Sequence, residues 1–445
     1  MPNFVSVFHG IRFKVKRLFV VMTSNFFLPS TKSKIMATEK DKFTYMTLSN
    51  GLRIVHCHSR SQAEYCGLAV KAGSRNETPD TYGIAHFVEH TIFKGTDRRK
   101  SWHIINRMEA VGGELNAYTS EEVTMVYSAF PKGNLSRAVE LIADLVANSR
   151  FPIREIDKER EVVMDEISSY LDTPSDAIFD DFNDMMFAGS PLGHNILGNT
   201  RTISTFTPAT CRSFLDRYYT PGNMVLFYLG PTSTSRLYNA ADRYFSVLHH
   251  PTEATSPVMP AVNKTFDVTR DINSHQCHTV IGARIPGMFE DRKRVFGLLT
   301  NILGGPCMNS LFNVELRERH GYVYSVDAYT SLFTDCGLFT VYFGCDEEHV
   351  GPCRRMIFDI IDRLADTPMS KRALDAAKKQ YLGQSLVAGE NREQFALSMG
   401  RSVLFNGKII SSSEVMERIN SITPEELREA AGMISRNYSS ILTFS

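Results

Sequence analysis

The chain is 445 residues long with 43% apolar and 22% charged side chains, which excludes an intrinsically disordered polypeptide and predicts at least two packed units. Its 49 basic and 49 acidic residues cancel, so no global field draws it to nucleic acid or to an anionic membrane surface. Eight cysteines without a C-x-x-C pair exclude a small disulfide scaffold and read as reduced, mostly buried thiols.

The first 35 residues hold six Lys or Arg and no Asp or Glu. Neither a transit peptide nor a secretory signal fits well, because the apolar run is broken at Thr23-Ser24-Asn25 and is too short to span a bilayer. Residues 1–38 are therefore expected to be a basic extension, disordered or an artefact of start-site choice, with translation beginning at Met36. The first strand signal is Leu52 to His56. The triplet His56-Cys57-His58 has metal-binding residue types, but strand neighbours point to opposite faces and do not easily converge on one ion.

From Asp80 to Gly95, the pattern Tyr82, Ala85, Phe87, Val88 and Ile92 predicts a short helix stopped by Gly95-Thr96. On it His86 and His90 stand one turn apart on one face, with Glu89 between their rows. Two imidazoles can then hold one ion while the carboxylate reaches its water. A catalytic zinc usually takes three protein donors. The segment 157–167 supplies candidates, since Ile156, Val163, Ile167 and Tyr170 form a helical stripe beside Glu159 and Glu166. Seven residues apart, the two glutamates share a face, one able to act as ligand and the other as orienter of a histidine.

An internal repeat organises the chain. Asn116-Ala-Tyr-Thr-Ser120 recurs as Asp327-Ala-Tyr-Thr-Ser331, 211 positions later. Each copy leads into a β-rich segment, a helix and a proline. Leu135, Val139, Ile142 and Val146 form the helical stripe in the first copy, and Ile357, Ile360, Ile361 and Leu364 in the second. Residues 251–264 have a linker composition. Each half opens with strand-like alternation, Leu52 to His56 and Cys277 to Ala283. The expected fold is α+β, with two homologous domains, 39–250 and 265–445, each a mostly antiparallel sheet flanked by helices and joined by the linker.

His86-Phe-Val-Glu-His90, with Glu166 76 residues beyond His90, resembles the pitrilysin and mitochondrial processing peptidase family of inverted-motif (H-x-x-E-H) zinc peptidases. Ala110 to Ser120, Lys158 to Glu166 and Leu316 to Ser325 resemble further blocks of that family, so the likeness covers about residues 40 to 445, as a short two-domain bacterial-type member. The resemblance implies one Zn²⁺ per chain held by His86, His90 and Glu166, with Glu89 as general base and Glu159 at the accessory acidic position. It implies that Arg317 and Tyr324 serve catalysis from the second half, and that Asn116 and Ala117 contact substrate backbone on an edge strand. At the repeat offset the second half has no H-x-x-E-H, and Leu382 stands where Glu166 would project.

The function expected is zinc-dependent endopeptidase action on short unstructured or presequence-like peptides. The alternatives are a catalytically silent structural or regulatory subunit, and zinc hydrolysis of a non-peptide bond. Longer family members enclose substrate between four such domains, and some short ones split the zinc site and the Arg/Tyr pair between subunits. A two-domain chain carrying both is expected to form a homodimer, with a peptide substrate, no nucleic acid and no integral membrane association. The expected compartment is cytoplasmic, or the mitochondrial matrix if the basic N-terminus is a transit peptide.

Overall fold

The computed structural model describes residues 43–248, 258–262 and 264–445. The extension expected over 1–38 and most of the linker expected over 251–264 lie outside the described residues.

The first sheet contains β1 (Phe43–Thr47), β2 (Arg53–His58), β3 (Ala63–Val70), β4 (Glu114–Thr119), β5 (Thr124–Pro131) and β6 (Met224–Gly230), in the order β1-β2-β6-β3-β5-β4. The second contains β7 (Asp267–Arg270), β8 (Cys277–Ile285), β9 (Val323–Leu332), β10 (Gly337–Cys345) and β11 (Ser439–Phe444), in the order β7-β11-β8-β10-β9. β2 runs parallel to β6, and β7 parallel to β11, while the other pairs are antiparallel. Matching β2 with β7 aligns the two sheets strand for strand, and β1 is the addition. Asn116 pairs with Tyr127 in β5 and Asp327 with Tyr342 in β10, so the repeated pentapeptides occupy equivalent edge strands.

The stripes Leu135, Val139, Ile142, Val146 and Ile357, Ile360, Ile361, Leu364 are buried against one face of each sheet. The opposite faces are covered by exchange. Helix Arg392–Asn406, from the second half, lays Ala396, Leu397, Met399, Val403 and Leu404 on Val55, Ala69, Val225 and Phe227 of the first sheet. Helix Pro174–Met186, from the first half, lays Ala177, Ile178, Phe182 and Met186 on Val280, Leu338, Leu442 and Phe444 of the second. With both faces covered, strand residues are buried on both sides, as in the wholly buried β6. This corrects the expected alternation at Cys277 to Ala283, every residue of which is buried. That segment matches β3; the counterpart of β2 is the short β7.

A buried ionic contact also joins the halves. Arg75 reaches Glu122 at 2.6 Å and Asp335, in the β9–β10 turn, at 2.8 and 2.5 Å. Glu122 in turn accepts from the Thr334 main-chain N–H at 2.9 Å and its hydroxyl at 2.6 Å. No helix among the described residues is long and apolar enough to cross a membrane.

Candidate metal centre

The motif helix spans Ile84–Thr91, shorter than the 80–95 expectation because the chain enters it through Gly83 in the left-handed region (φ 94°). Ala85, Phe87 and Val88 are buried in the first-half core and draw the helix inward, so His86 and Glu89 are buried as well. Helix Ile153–Leu171 packs against it and buries Ile156, Val163 and Ile167. The seven-residue spacing then carries both Glu159 and Glu166 to the histidines.

His86, His90 and Glu166 each bring one donor atom to within 4.8 Å of the other two. His86 and His90 ring centroids are 4.5 Å apart at 63°. Glu166 Oε2 lies 3.8 Å from His86 Nε2 and 3.5 Å from His90 Nε2. On the other side of the imidazole, His90 Nδ1 stands 3.2 Å from Glu159 Oε2, and Glu159 Oε1 lies 2.5 Å from Lys94 Nζ. A carboxylate at Nδ1 accepts a hydrogen bond from Nδ1–H, which leaves Nε2 as the nitrogen directed at the cluster.

The electrostatics ask for a cation. Burial works against a charged His90, yet its hydrogen bond to Glu159 and the charges of Glu166, Glu89 and Glu159 prevail and hold it above the ordinary histidine value. Burial would raise Glu159, but His90 and Lys94 bring it below the ordinary glutamate value. Two imidazoles and a carboxylate, converging under net negative charge, fit a zinc ion in composition and charge. Burial also pushes Tyr118 up to about 12, with Arg401 opposing and Glu89 adding, so this tyrosine is a neutral hydroxyl near Glu89.

The chain matches the family described as "Insulinase (Peptidase family M16)" over residues 53–200. It is 32% identical over 397 residues to an uncharacterized zinc protease of Streptomyces coelicolor, covering 86% of this chain and 85% of the relative. It is 34% identical over 405 residues to one of Mycobacterium tuberculosis, covering 88% and 91%. The chain belongs to peptidase family M16. Residues 205–381 match the description "Peptidase M16 inactive domain". A Bacillus subtilis uncharacterized zinc protease is 29% identical over 388 residues, covering 86% of this chain and 94% of the relative. In fold, the M16 chain is similar to a protease from Helicobacter pylori (TM-score 0.84, 19% identity, 91% of this chain and 99% of that one). It is also similar to a peptidase M16 inactive domain from Pseudomonas fluorescens (TM-score 0.83, 17% identity, 90% and 97%).

The other predicted residues of this M16 chain are not members of that three-residue group. Arg317 lies in the helical segment Asn313–Arg319, with Glu318 as its ionic neighbour at 3.7 Å. Tyr324 is the second residue of β9 and is 69% exposed. Neither has a hydrogen bond or ion pair to the cluster among the described residues. Asn116 and Ala117 lie on β4, an edge strand beside the motif helix. His56 is a core histidine, its ring nitrogens 2.9 Å from Thr234 Oγ1 and 3.2 Å from Gly230 O, while His58 faces solvent. Sequence reasoning missed Lys94, Glu77 and His194. The signal for Glu77 was the missing Ser, Thr, Asp or Asn immediately before Ile84, which meant that the helix had to be capped from elsewhere.

Proposed function

We propose that this M16 chain is a zinc-dependent endopeptidase acting on unstructured or presequence-like peptides. The observation that carries the reading is the convergence of His86, His90 and Glu166 within 4.8 Å, with Glu89 on the same buried helix. The names of its curated relatives, zinc proteases, support it.

His86 and His90 through Nε2, and Glu166 through a carboxylate oxygen, would hold one zinc per chain. When bound, zinc supplies a Lewis acid that acidifies the attacking water and polarises the scissile carbonyl. Glu89 takes the proton from that water and returns it to the leaving amine. Glu159 keeps His90 in the tautomer that donates at Nε2. The open edge of β4, at Asn116 and Ala117, offers main-chain groups to an extended peptide, so recognition through backbone pairing reads side chains loosely. Arg317 and Tyr324 serve the charge that develops on the carbonyl oxygen, Tyr324 as hydrogen-bond donor and Arg317 through its charge. The pair is exposed and, among the described residues, makes no hydrogen bond or ion pair to its own chain's cluster, which favours a homodimer in which each copy lends it to the other's site.

Metal analysis of purified protein tests this reading. One zinc per chain in wild type, lost in His86→Ala and in Glu166→Gln, is the expected result. Zinc content unchanged in both variants overturns the assignment.

A further inference from the structure

The motif helix has no cap of its own. The first N–H groups of any helix lack partners within it, and Gly83, at the N-cap, has no side chain with which to accept from them. Glu77 does so from six residues upstream: its Oε2 accepts from the Gly83 N–H at 2.7 Å and its Oε1 from the Ala85 N–H at 2.8 Å. The Glu77 side chain is fully buried, and its Oε2 also meets His194 Nε2 at 2.6 Å. A carboxylate is an acceptor at both oxygens, so Nε2 carries the proton of that bond. The Tyr82 ring lies flat on His194, with centroids 3.7 Å apart at 7°.

The loop bearing His194 closes main chain to main chain on the same point. A Cβ at Gly198 would stand 2.3 Å from the Tyr82 carbonyl oxygen, and one at Gly83 would stand 2.7 Å from that of Leu197. Both glycines have positive φ, so neither position takes another residue without strain. Thr202 Oγ1 adds a hydrogen bond to the Tyr82 carbonyl at 2.6 Å.

His86 is the third residue of this eight-residue helix and so lies in its first turn. A helix this short is marginal without tertiary support, and its first turn is the part that frays. His90, one turn on, is oriented by Glu159. We infer that Glu77 and His194 are positioning residues of the metal centre. Their buried pair caps the motif helix and fixes the rotation of its first turn, which keeps His86 Nε2 aligned with His90 and Glu166. This rests on the zinc reading of the cluster.

The test compares wild type with Glu77→Gln and His194→Phe as full-length chains. Glutamine keeps the volume but turns an NH₂ group toward an N–H that Glu77 accepts. Phenylalanine keeps the stack on Tyr82 and removes only the hydrogen bond to Glu77. Zinc dissociation constants are read by competition with a chromogenic chelator, amide hydrogen exchange over residues 84–91 on metal-free protein, and overall folding by thermal melting.

Glu77→Gln is expected to raise the zinc dissociation constant about 10–100-fold and to speed exchange in the first turn. His194→Phe is expected to shift both the same way by less, while its melting stays cooperative. Wild-type zinc affinity and wild-type exchange in a folded variant overturn the inference, because a cap that serves stability alone would move only the melting temperature. If Glu77→Gln does not fold, His194→Phe decides by the same criteria. Failure of wild type to take up zinc overturns the functional reading instead, and the exchange measurement on metal-free protein still decides the cap.

Discussion

Glu159 meets His90 at 3.2 Å, Oε2 to Nδ1, on the side of the ring away from Glu166, and Lys94 holds its other oxygen at 2.5 Å. The carboxylate therefore touches a histidine of the group without being one of its three members, as the proposed orienting role requires. Glu159→Gln is expected to weaken zinc binding by about 10–100-fold, the usual cost of losing such an outer partner, and Glu166→Gln to weaken it more. Chelator competition on the two variants checks the ranking, and equal losses would mean that Glu159 acts as a donor.

The contact between the halves is predicted to matter for stability. Asp335→Asn leaves the buried Arg75 guanidinium with Glu122 as its one carboxylate partner among the described residues, beside the Thr334 hydroxyl and the Val258 carbonyl. The expected loss is about 2–3 kcal/mol by urea unfolding, below the roughly 3–5 kcal/mol of a broken buried pair because Glu122 keeps its hold. Undiminished stability would contradict the contact.

The same pair predicts a pH dependence. Burial acts to raise Asp335, but its hydrogen bonds and charge attraction to Arg75 outweigh this and depress its pKa. A depressed carboxylate stabilises the fold fully above its unfolded value, about 3.9 for Asp, and that contribution fades as pH falls through the lower folded value. Acid titration of stability should therefore be steeper in wild type than in Asp335→Asn below about pH 4. Parallel curves would remove Asp335 from the account.

The exchanged helices predict an effect at a distance from the metal. A Cβ at Gly400 would stand 2.5 Å from Phe227 Cδ1, so Gly400→Ala forces the ring or the helix to move. A cost of about 1–3 kcal/mol is expected from overpacking. Thermal melting measures it, and an unchanged or raised midpoint would show that the helix does not lie on the first sheet.

Supply of Arg317 and Tyr324 in trans is testable by mixing. Glu89→Gln and Tyr324→Phe are each expected to be strongly impaired alone. Statistically mixed dimers should recover up to about a quarter of wild-type activity, because half are hybrids with one intact site of two. No recovery on mixing would place the pair in the site of its own chain.

The repeat and the residues proposed to hold the metal were legible in the sequence for a shared reason: both are local patterns. Asn116 to Ser120 and Asp327 to Ser331 mark equivalent edge strands, and His86, His90, Glu159 and Glu166 follow helical spacing. The helix exchange was not legible. Periodicity identifies an apolar face but not the half of the molecule that covers it, and a strand buried on both faces, such as Cys277 to Ile285, shows no alternation. Glu77 escaped for a similar reason, since a cap supplied from a preceding turn leaves only the absence of a local one. Arg317 and Tyr324 could be named from the family resemblance, but no spacing shows which chain's site they serve.

Cleavage of an unstructured peptide mixture by purified wild type, Glu89→Gln and chelator-treated protein is the most direct test of the zinc peptidase reading. The account predicts cleavage by wild type alone, restored to the chelated sample by zinc, with Glu89→Gln still binding the metal. Cleavage retained by Glu89→Gln would contradict it.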